Sequence, residues 1–114
     1  MIIERGDIIL IDLEPVKGSE QGKVRPCVVL QNNIANKYSP TTIVAAITSS
    51  ISDKKYPTEV KISSNESGLP KESTILLNQI RTISVKDRVI KKVGKLNNLK
   101  TEEINQALKV SLEL

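Results

Sequence analysis

A glycine-flanked polar loop at residues 18–26 holds side chains that could act on a phosphodiester. Glu20 supplies a carboxylate, and Arg25 supplies a planar guanidinium that can donate two parallel hydrogen bonds to phosphate oxygens. Gly18 and Gly22 let the backbone approach a ligand closely. In a second interpretation, Glu20 and Arg25 simply pair with each other across a surface hairpin. The loop by itself does not decide between the two.

The absence of histidine narrows the chemistry that this chain can perform. With no histidine and one cysteine, Cys27, the sequence excludes Ser-His-Asp and Cys-His catalysis and lacks the usual zinc ligands. Cys27 is predicted to be a small core residue. The carboxylates show no paired spacing typical of a two-metal site, so neither a metal nor a cofactor is predicted.

A Walker-type or dinucleotide-type phosphate loop is also missing, because Gly18 and Gly22 lie between two predicted strands with no helix after them. Cleavage of RNA by its own 2′-hydroxyl remains, since it requires only a proton acceptor, a charge stabiliser and oriented hydrogen bonds. Glu20, Arg25 and a threonine can supply these. Thr48, at the end of a predicted strand, is the candidate threonine, although such a residue is also an ordinary strand residue.

The net charge and the first residues indicate the kind of partner and the cellular location to expect. Seventeen Lys and Arg against thirteen Asp and Glu give a net charge of +4, which favours a polyanionic partner but also fits ordinary solvated charge. The first residues show neither a signal peptide nor an apolar run long enough to cross a membrane, so we expect a cytoplasmic protein.

Short apolar segments separated by turn residues predict a mainly β fold. Strands are predicted at residues 7–13, 24–31, 42–48, 58–62 and 88–93. With two further apolar stretches at residues 73–77 and 79–83, the predicted total is five or six strands. The last segment has helical periodicity, with Thr101 as N-cap and an apolar face made of Ile104, Ala107, Leu108, Ser111 and Leu112. We predict one domain over residues 1–114, a small bent barrel with a C-terminal helix. Its small core makes a dimer the expected state.

Several sequence blocks, in order along nearly the whole chain, resemble the MazF/PemK toxin family. They are Arg5-Gly6-Asp7, Asp12-Leu13-Glu14-Pro15, Gly18-Ser19-Glu20-Gln21-Gly22, Val24-Arg25-Pro26, Gln31-Asn32, Ser39-Pro40-Thr41, Ala45-Ala46-Ile47-Thr48 and the stretch at residues 77–83. The resemblance implies an SH3-like barrel of the PemK/CcdB-like plasmid-maintenance toxin type and a homodimer. It also implies an endoribonuclease that cuts single-stranded mRNA at a short motif, with ACA as the family-level expectation.

The resemblance also assigns roles to individual residues. Arg25 and Thr48 match the family's catalytic arginine and threonine, and Glu20 is the candidate for orienting the 2′-hydroxyl. The matching loop over the substrate contains Ser19 and Gln21.

Five further residues are expected to contact RNA. Gln79 and Arg81 match residues that line the family's RNA groove, and Arg5 belongs to the first matching block. Tyr56 could replace a stacking aromatic residue that relatives carry in the first strand, or it could simply pack. Lys54, next to Lys55 in a polar loop, could follow phosphates or remain solvated.

The expected protein partner is a MazE-type antitoxin whose acidic, disordered tail lies along the RNA groove. The alternative hypothesis is a non-catalytic protein of the same fold, either a gyrase-poisoning toxin or a nucleic-acid-binding module.

Overall fold

Antiparallel strands dominate the structure, a computed structural model that describes residues 1–13 and 24–114. The strands are β1 (Asp7–Asp12), β2 (Val24–Val29), β3 (Thr41–Thr48), β4 (Glu59–Ile62), β5 (Ser73–Ser84) and β6 (Val89–Lys95). The helices are α1 (Asn33–Tyr38), α2 (Ser64–Ser67), α3 (Val85–Arg88) and α4 (Asn98–Leu112). Within the described residues, the six strands form one sheet in the order β4-β5-β3-β2-β1-β6.

Period-two alternation divides the apolar side chains between the two faces of the sheet. On one face, Ile8, Val28 and Ala45 pack in a cluster that includes Ile104 and Ala107 of α4. The other face carries a second cluster, formed by Ile3, Ile9, Ile11, Cys27, Val29, Val44 and Ile83. Because neighbouring residues of a strand point to opposite faces, β1 contributes Ile8 to the first cluster and Ile9 and Ile11 to the second.

A close backbone contact joins the two edges of the sheet. α2 directly follows the edge strand β4, and it ends at Gly68, which has a φ of 79°. Gly68 lies against Val93 and Gly94 of the other edge strand, β6. This contact curls the sheet toward a barrel, so the predicted mainly β fold with a strongly bent sheet and a C-terminal helix is confirmed.

The start of α4 differs from the prediction. Asn97, not Thr101, is the N-cap: its side-chain oxygen accepts a 2.9 Å hydrogen bond from the Lys100 N–H. Thr101 lies one turn inside the helix, where its hydroxyl donates to the Asn97 carbonyl at 3.0 Å. Asparagine is at least as good an N-cap as threonine, so the helix gains a turn before the apolar face begins. Leu112, predicted for that face, is 54% exposed.

Two further segments differ from the prediction. The two apolar stretches at residues 73–77 and 79–83 form the single strand β5. Its pairing with β3 shifts register between Ala45, opposite Ile80, and Ala46, opposite Leu76. Residues 77–79 therefore form a bulge, which moves the side chains beyond it relative to those before it. Residues 33–38, for which no helix was predicted, form α1, and Asn32 caps it by accepting a 2.8 Å hydrogen bond from the Ala35 N–H.

Candidate functional site

A cavity of about 1030 Å³ opens on the sheet face that carries Cys27 and Val44. β1, β2, β3 and β5 contribute to its walls, and the segment from Leu69 to Lys71 closes one side. Arg25, Thr48, Gln79 and Arg81 all line this cavity. Four of the predicted site residues, which lie on three different strands, are thus brought together.

Arg25 and Thr48 lie at the same end of the β2–β3 ladder. The ladder ends with Cys27 opposite Ala46, and Arg25 and Thr48 each lie two residues beyond that pair. Residues two apart on a strand point to the same face, so both side chains lie on the face that carries Cys27. The Arg25 side chain is exposed, and within the described part of the chain no hydrogen bond or ion pair holds its guanidinium. Arg25 can therefore turn its donors toward a ligand.

The Thr48 hydroxyl is oriented by the end of its own strand. Its oxygen accepts a 3.1 Å hydrogen bond from the backbone N–H of Ser50. A hydroxyl that accepts one hydrogen bond still has its proton to donate. Thr48 thus presents one positioned donor to the cavity that Arg25 also lines.

Gln79 and Arg81 come from the bulged half of β5. Arg81 pairs with Val44, which also pairs with Val29 of β2, so Arg81 shares a face with the second apolar cluster. Both Gln79 and Arg81 are exposed at the cavity. Their placement depends on the bulge, because a register slip of one residue would turn the side chains to the other face.

Cys27 lies in the cavity wall but is unsuited to nucleophilic chemistry. The residue is 2% exposed, which confirms the prediction of a core cysteine. Burial raises the pKa of its thiol to about 12, and the positive charge of Arg81 offsets only part of this rise. A thiol that stays protonated is a poor nucleophile.

The described lining of the cavity is cationic. Arg25, Lys71 and Arg81 contribute positive charge, and no described lining residue is an aspartate or glutamate. Lys71 was not predicted, because a single lysine in a turn has no distinguishing pattern in the sequence. A cationic cavity with oriented donors favours a ligand that carries phosphate groups.

Arg5 lies outside this cavity. Its Nε donates to the Leu30 carbonyl at 2.8 Å, and its Nη2 donates to the Asn105 side-chain oxygen at 2.7 Å. Its own backbone N–H donates to Asn33 at 2.7 Å. These bonds tie the end of β2 to α4, so an RNA contact at Arg5 stays a prediction.

Lys54 and Tyr56 are exposed in the loop after β3 and do not line the cavity. This loop starts at Ser49, which does line it. RNA contacts by Lys54 and Tyr56 also stay predictions. Ser19, Glu20 and Gln21 lie outside the described residues.

The described residues contain neither a cluster of metal ligands nor a membrane-spanning helix. Among residues 1–13 and 24–114, no three histidine, cysteine, aspartate or glutamate side chains are grouped so that they could hold a metal ion. No helix in the described part of the chain is both long and apolar enough to cross a membrane.

The fold and the cavity define a class: a small curled β sheet with a C-terminal helix and a cationic pocket on one face. Within it, this chain belongs to the family described as "PemK-like, MazF-like toxin of type II toxin-antitoxin system", whose profile matches residues 4–112. This confirms the resemblance found in the sequence blocks.

Two relatives match along nearly their whole length. The chain is 50% identical over 113 residues to "Endoribonuclease MazF" of Staphylococcus saprophyticus, covering 99% of this chain and 93% of the relative. It is 49% identical over 114 residues to "Endoribonuclease EndoA" of Bacillus subtilis, covering 100% of this chain and 97% of the relative.

Solved structures share the fold. The MazE-MazF structure (Form-II) from Deinococcus radiodurans matches with a TM-score of 0.82 at 22% identity, covering 100% of this chain and 98% of that one. An endoribonuclease in complex with its cognate antitoxin from a mycobacterial species matches with a TM-score of 0.78 at 19% identity, covering 98% and 96%.

Proposed function

We propose that this protein is an endoribonuclease toxin that cuts single-stranded mRNA at a short sequence motif, without a metal ion, in the cytoplasm. The observation that carries the proposal is that Arg25 and Thr48 line the same cationic cavity. Two relatives at about half identity, both named endoribonucleases, support the activity. The family supports the role as a toxin.

The proposed reaction is an attack by the 2′-oxygen of the RNA on the adjacent phosphorus. The bond from phosphorus to the 5′-oxygen of the next nucleotide breaks, which leaves a 2′,3′-cyclic phosphate and a 5′-hydroxyl. The attacking hydroxyl loses a proton to a base, and the leaving oxygen gains one. The reaction makes and breaks only bonds of the RNA and moves protons, so it consumes no cofactor.

Each residue has a separate task in this reaction. Arg25 donates to the non-bridging oxygens as negative charge accumulates on the phosphorane, and Thr48 donates one further hydrogen bond to the same group. Glu20 orients the 2′-hydroxyl. Gln79 and Arg81 hold the bases or phosphates beside the scissile bond.

The first experiment incubates purified protein with a long single-stranded transcript in EDTA. We expect cutting to persist in the chelator. Mapping the new 5′ ends should give one short motif, with ACA as the family-level expectation. Loss of all cutting in EDTA would refute the metal-free mechanism, and cuts scattered without a common motif would refute sequence specificity.

Substitutions test the catalytic residues. Arg25→Ala should lower kcat by about 10²–10³-fold, the usual effect of removing one preorganised donor. Arg25→Lys should restore little, because an ammonium lacks the planar fork. Thr48→Val should lower kcat by about tenfold, while Thr82→Val, an exposed β5 threonine outside the cavity lining, should not. Wild-type rates in Arg25→Ala would remove Arg25 from the reaction.

We further propose that the toxin is a homodimer inhibited by a MazE-type antitoxin. The acidic tail of the antitoxin would occupy the cationic cavity and exclude RNA. Sedimentation should give the mass of two chains, and an acidic peptide from the cognate antitoxin should compete with RNA. If the protein binds RNA tightly but leaves it intact, the non-catalytic alternative is favoured.

A further inference from the structure

Lys71 is a cation of the cavity that no sequence block singled out. It lies in the loop between α2 and β5 and is exposed where it lines the cavity. No hydrogen bond or ion pair to another described residue occupies its ammonium group. An exposed cation without such a partner in a phosphate-compatible cavity is available to a ligand.

The loop that carries Lys71 is held by its own side chains. The Leu69 N–H donates to the Ser67 hydroxyl at 3.0 Å, and the Ser73 hydroxyl donates to the Lys71 carbonyl at 3.1 Å. Leu69 is 8% exposed and belongs to the core cluster beneath α4. Pro70 restricts the backbone immediately before Lys71. The backbone of Lys71 is therefore fixed on both sides, so only the side chain must be ordered when a ligand binds.

Strand order places Lys71 and Arg25 on opposite sides of Thr48. Thr48 of β3 pairs with Thr74 of β5, and Lys71 lies three residues before Thr74. Arg25 lies on the other neighbour of β3, strand β2. A strand of RNA with its scissile phosphate at Arg25 and Thr48 would carry another phosphate toward Lys71.

We propose that Lys71 binds a backbone phosphate flanking the scissile one and so positions the RNA in the cavity. This inference rests on the proposed endoribonuclease function. The contact is electrostatic and forms equally in the bound substrate and in the transition state. Such a contact lowers KM and leaves kcat unchanged.

The test compares Lys71→Ala and Lys71→Arg with Lys109→Ala, a matched removal of an exposed lysine on α4 outside the cavity lining. Lys71→Ala should raise KM by about tenfold with kcat unchanged within about twofold, and Lys71→Arg should restore most of the loss. Lys109→Ala should match the wild type. Circular dichroism checks that each variant is folded.

A second measurement does not depend on catalysis. Binding of an uncleavable 2′-O-methyl RNA is followed by fluorescence anisotropy at several salt concentrations. The slope of log affinity against log salt should be shallower by about 0.7 for Lys71→Ala, the value for one phosphate contact on a single strand. A neutral methylphosphonate at the contacted position should weaken wild-type binding but not weaken Lys71→Ala further.

The proposal would be overturned if Lys71→Ala kept the KM and the salt slope of the wild type. It would also be overturned if Lys109→Ala raised KM as much as Lys71→Ala does. Failure of the wild type to cut RNA would overturn the proposed function instead. In that case the salt slope with 2′-O-methyl RNA still decides whether Lys71 contacts phosphate.

Discussion

Replacing Gly94 by alanine tests the contact that curls the sheet. A Cβ at Gly94 would lie 2.7 Å from the Ser67 carbonyl carbon and closer still to its oxygen, whereas real Cβ atoms essentially never come within 3.0 Å of a neighbour. The obstructing atoms belong to the backbone of α2, so no flexible side chain can move aside. β6 and α2 must separate to make room.

The loss in the free energy of unfolding caused by Gly94→Ala follows from this geometry. Forcing extra atoms into a packed contact costs about 1–3 kcal/mol and occasionally more, and a backbone obstacle places Gly94→Ala at about 3 kcal/mol. Domains of this size have unfolding free energies of about 5–15 kcal/mol, so the variant should still fold. Each kcal/mol lowers Tm by about 4 °C or slightly less at this length, which gives a drop of about 10 °C.

Gly6→Ala is the matched control. Gly6 has a φ of 92°, so alanine there is strained, but its Cβ would meet only ordinary contacts, the nearest being the Thr101 hydroxyl at 3.7 Å. We expect a cost of about 1–2 kcal/mol from the backbone alone. Urea unfolding followed by circular dichroism measures both variants. A Gly94→Ala protein as stable as the wild type, or more stable than Gly6→Ala, would refute the edge contact.

Three further predictions concern buried or capped groups. Arg5→Met should lower the free energy of unfolding by about 2 kcal/mol, because the Leu30 carbonyl and Asn105 lose their donor; an unchanged urea midpoint would contradict this. Cys27 should react with Ellman's reagent at pH 8 far more slowly in the native protein than in urea, since burial raises its pKa to about 12; equal rates would show an accessible thiol. The Ser63 backbone N–H lowers the pKa of Glu66 below 4.5, so its charge stabilises the fold above that pH and this stabilisation is lost as the pH falls through the lowered pKa. Glu66→Gln should therefore lose less stability than the wild type on acidification, as measured by urea unfolding.

The alternation of apolar residues was enough to predict most strands. Residues 7–13 and 24–31 became β1 and β2 within two residues at each end. The bulge at residues 77–79 and the start of α4 at Asn98 were not predicted. At both places the local sequence allows more than one strand pairing or helix cap, and the rest of the fold selects one of them. A local sequence pattern therefore does not predict the outcome.

For the site, the sequence by itself determined the candidates: Arg25 and Thr48 through their matching blocks, and the exclusion of histidine chemistry through composition. Tertiary structure decided which residues meet. It brought Arg25 and Thr48 into one cavity beyond the end of the β2–β3 ladder, added Lys71 and left Arg5 in a structural network. The physical reason is that the chemistry available to each side chain depends only on its residue type, which the sequence gives. Proximity between residues far apart in the chain arises only from strand pairing and from the curl of the sheet.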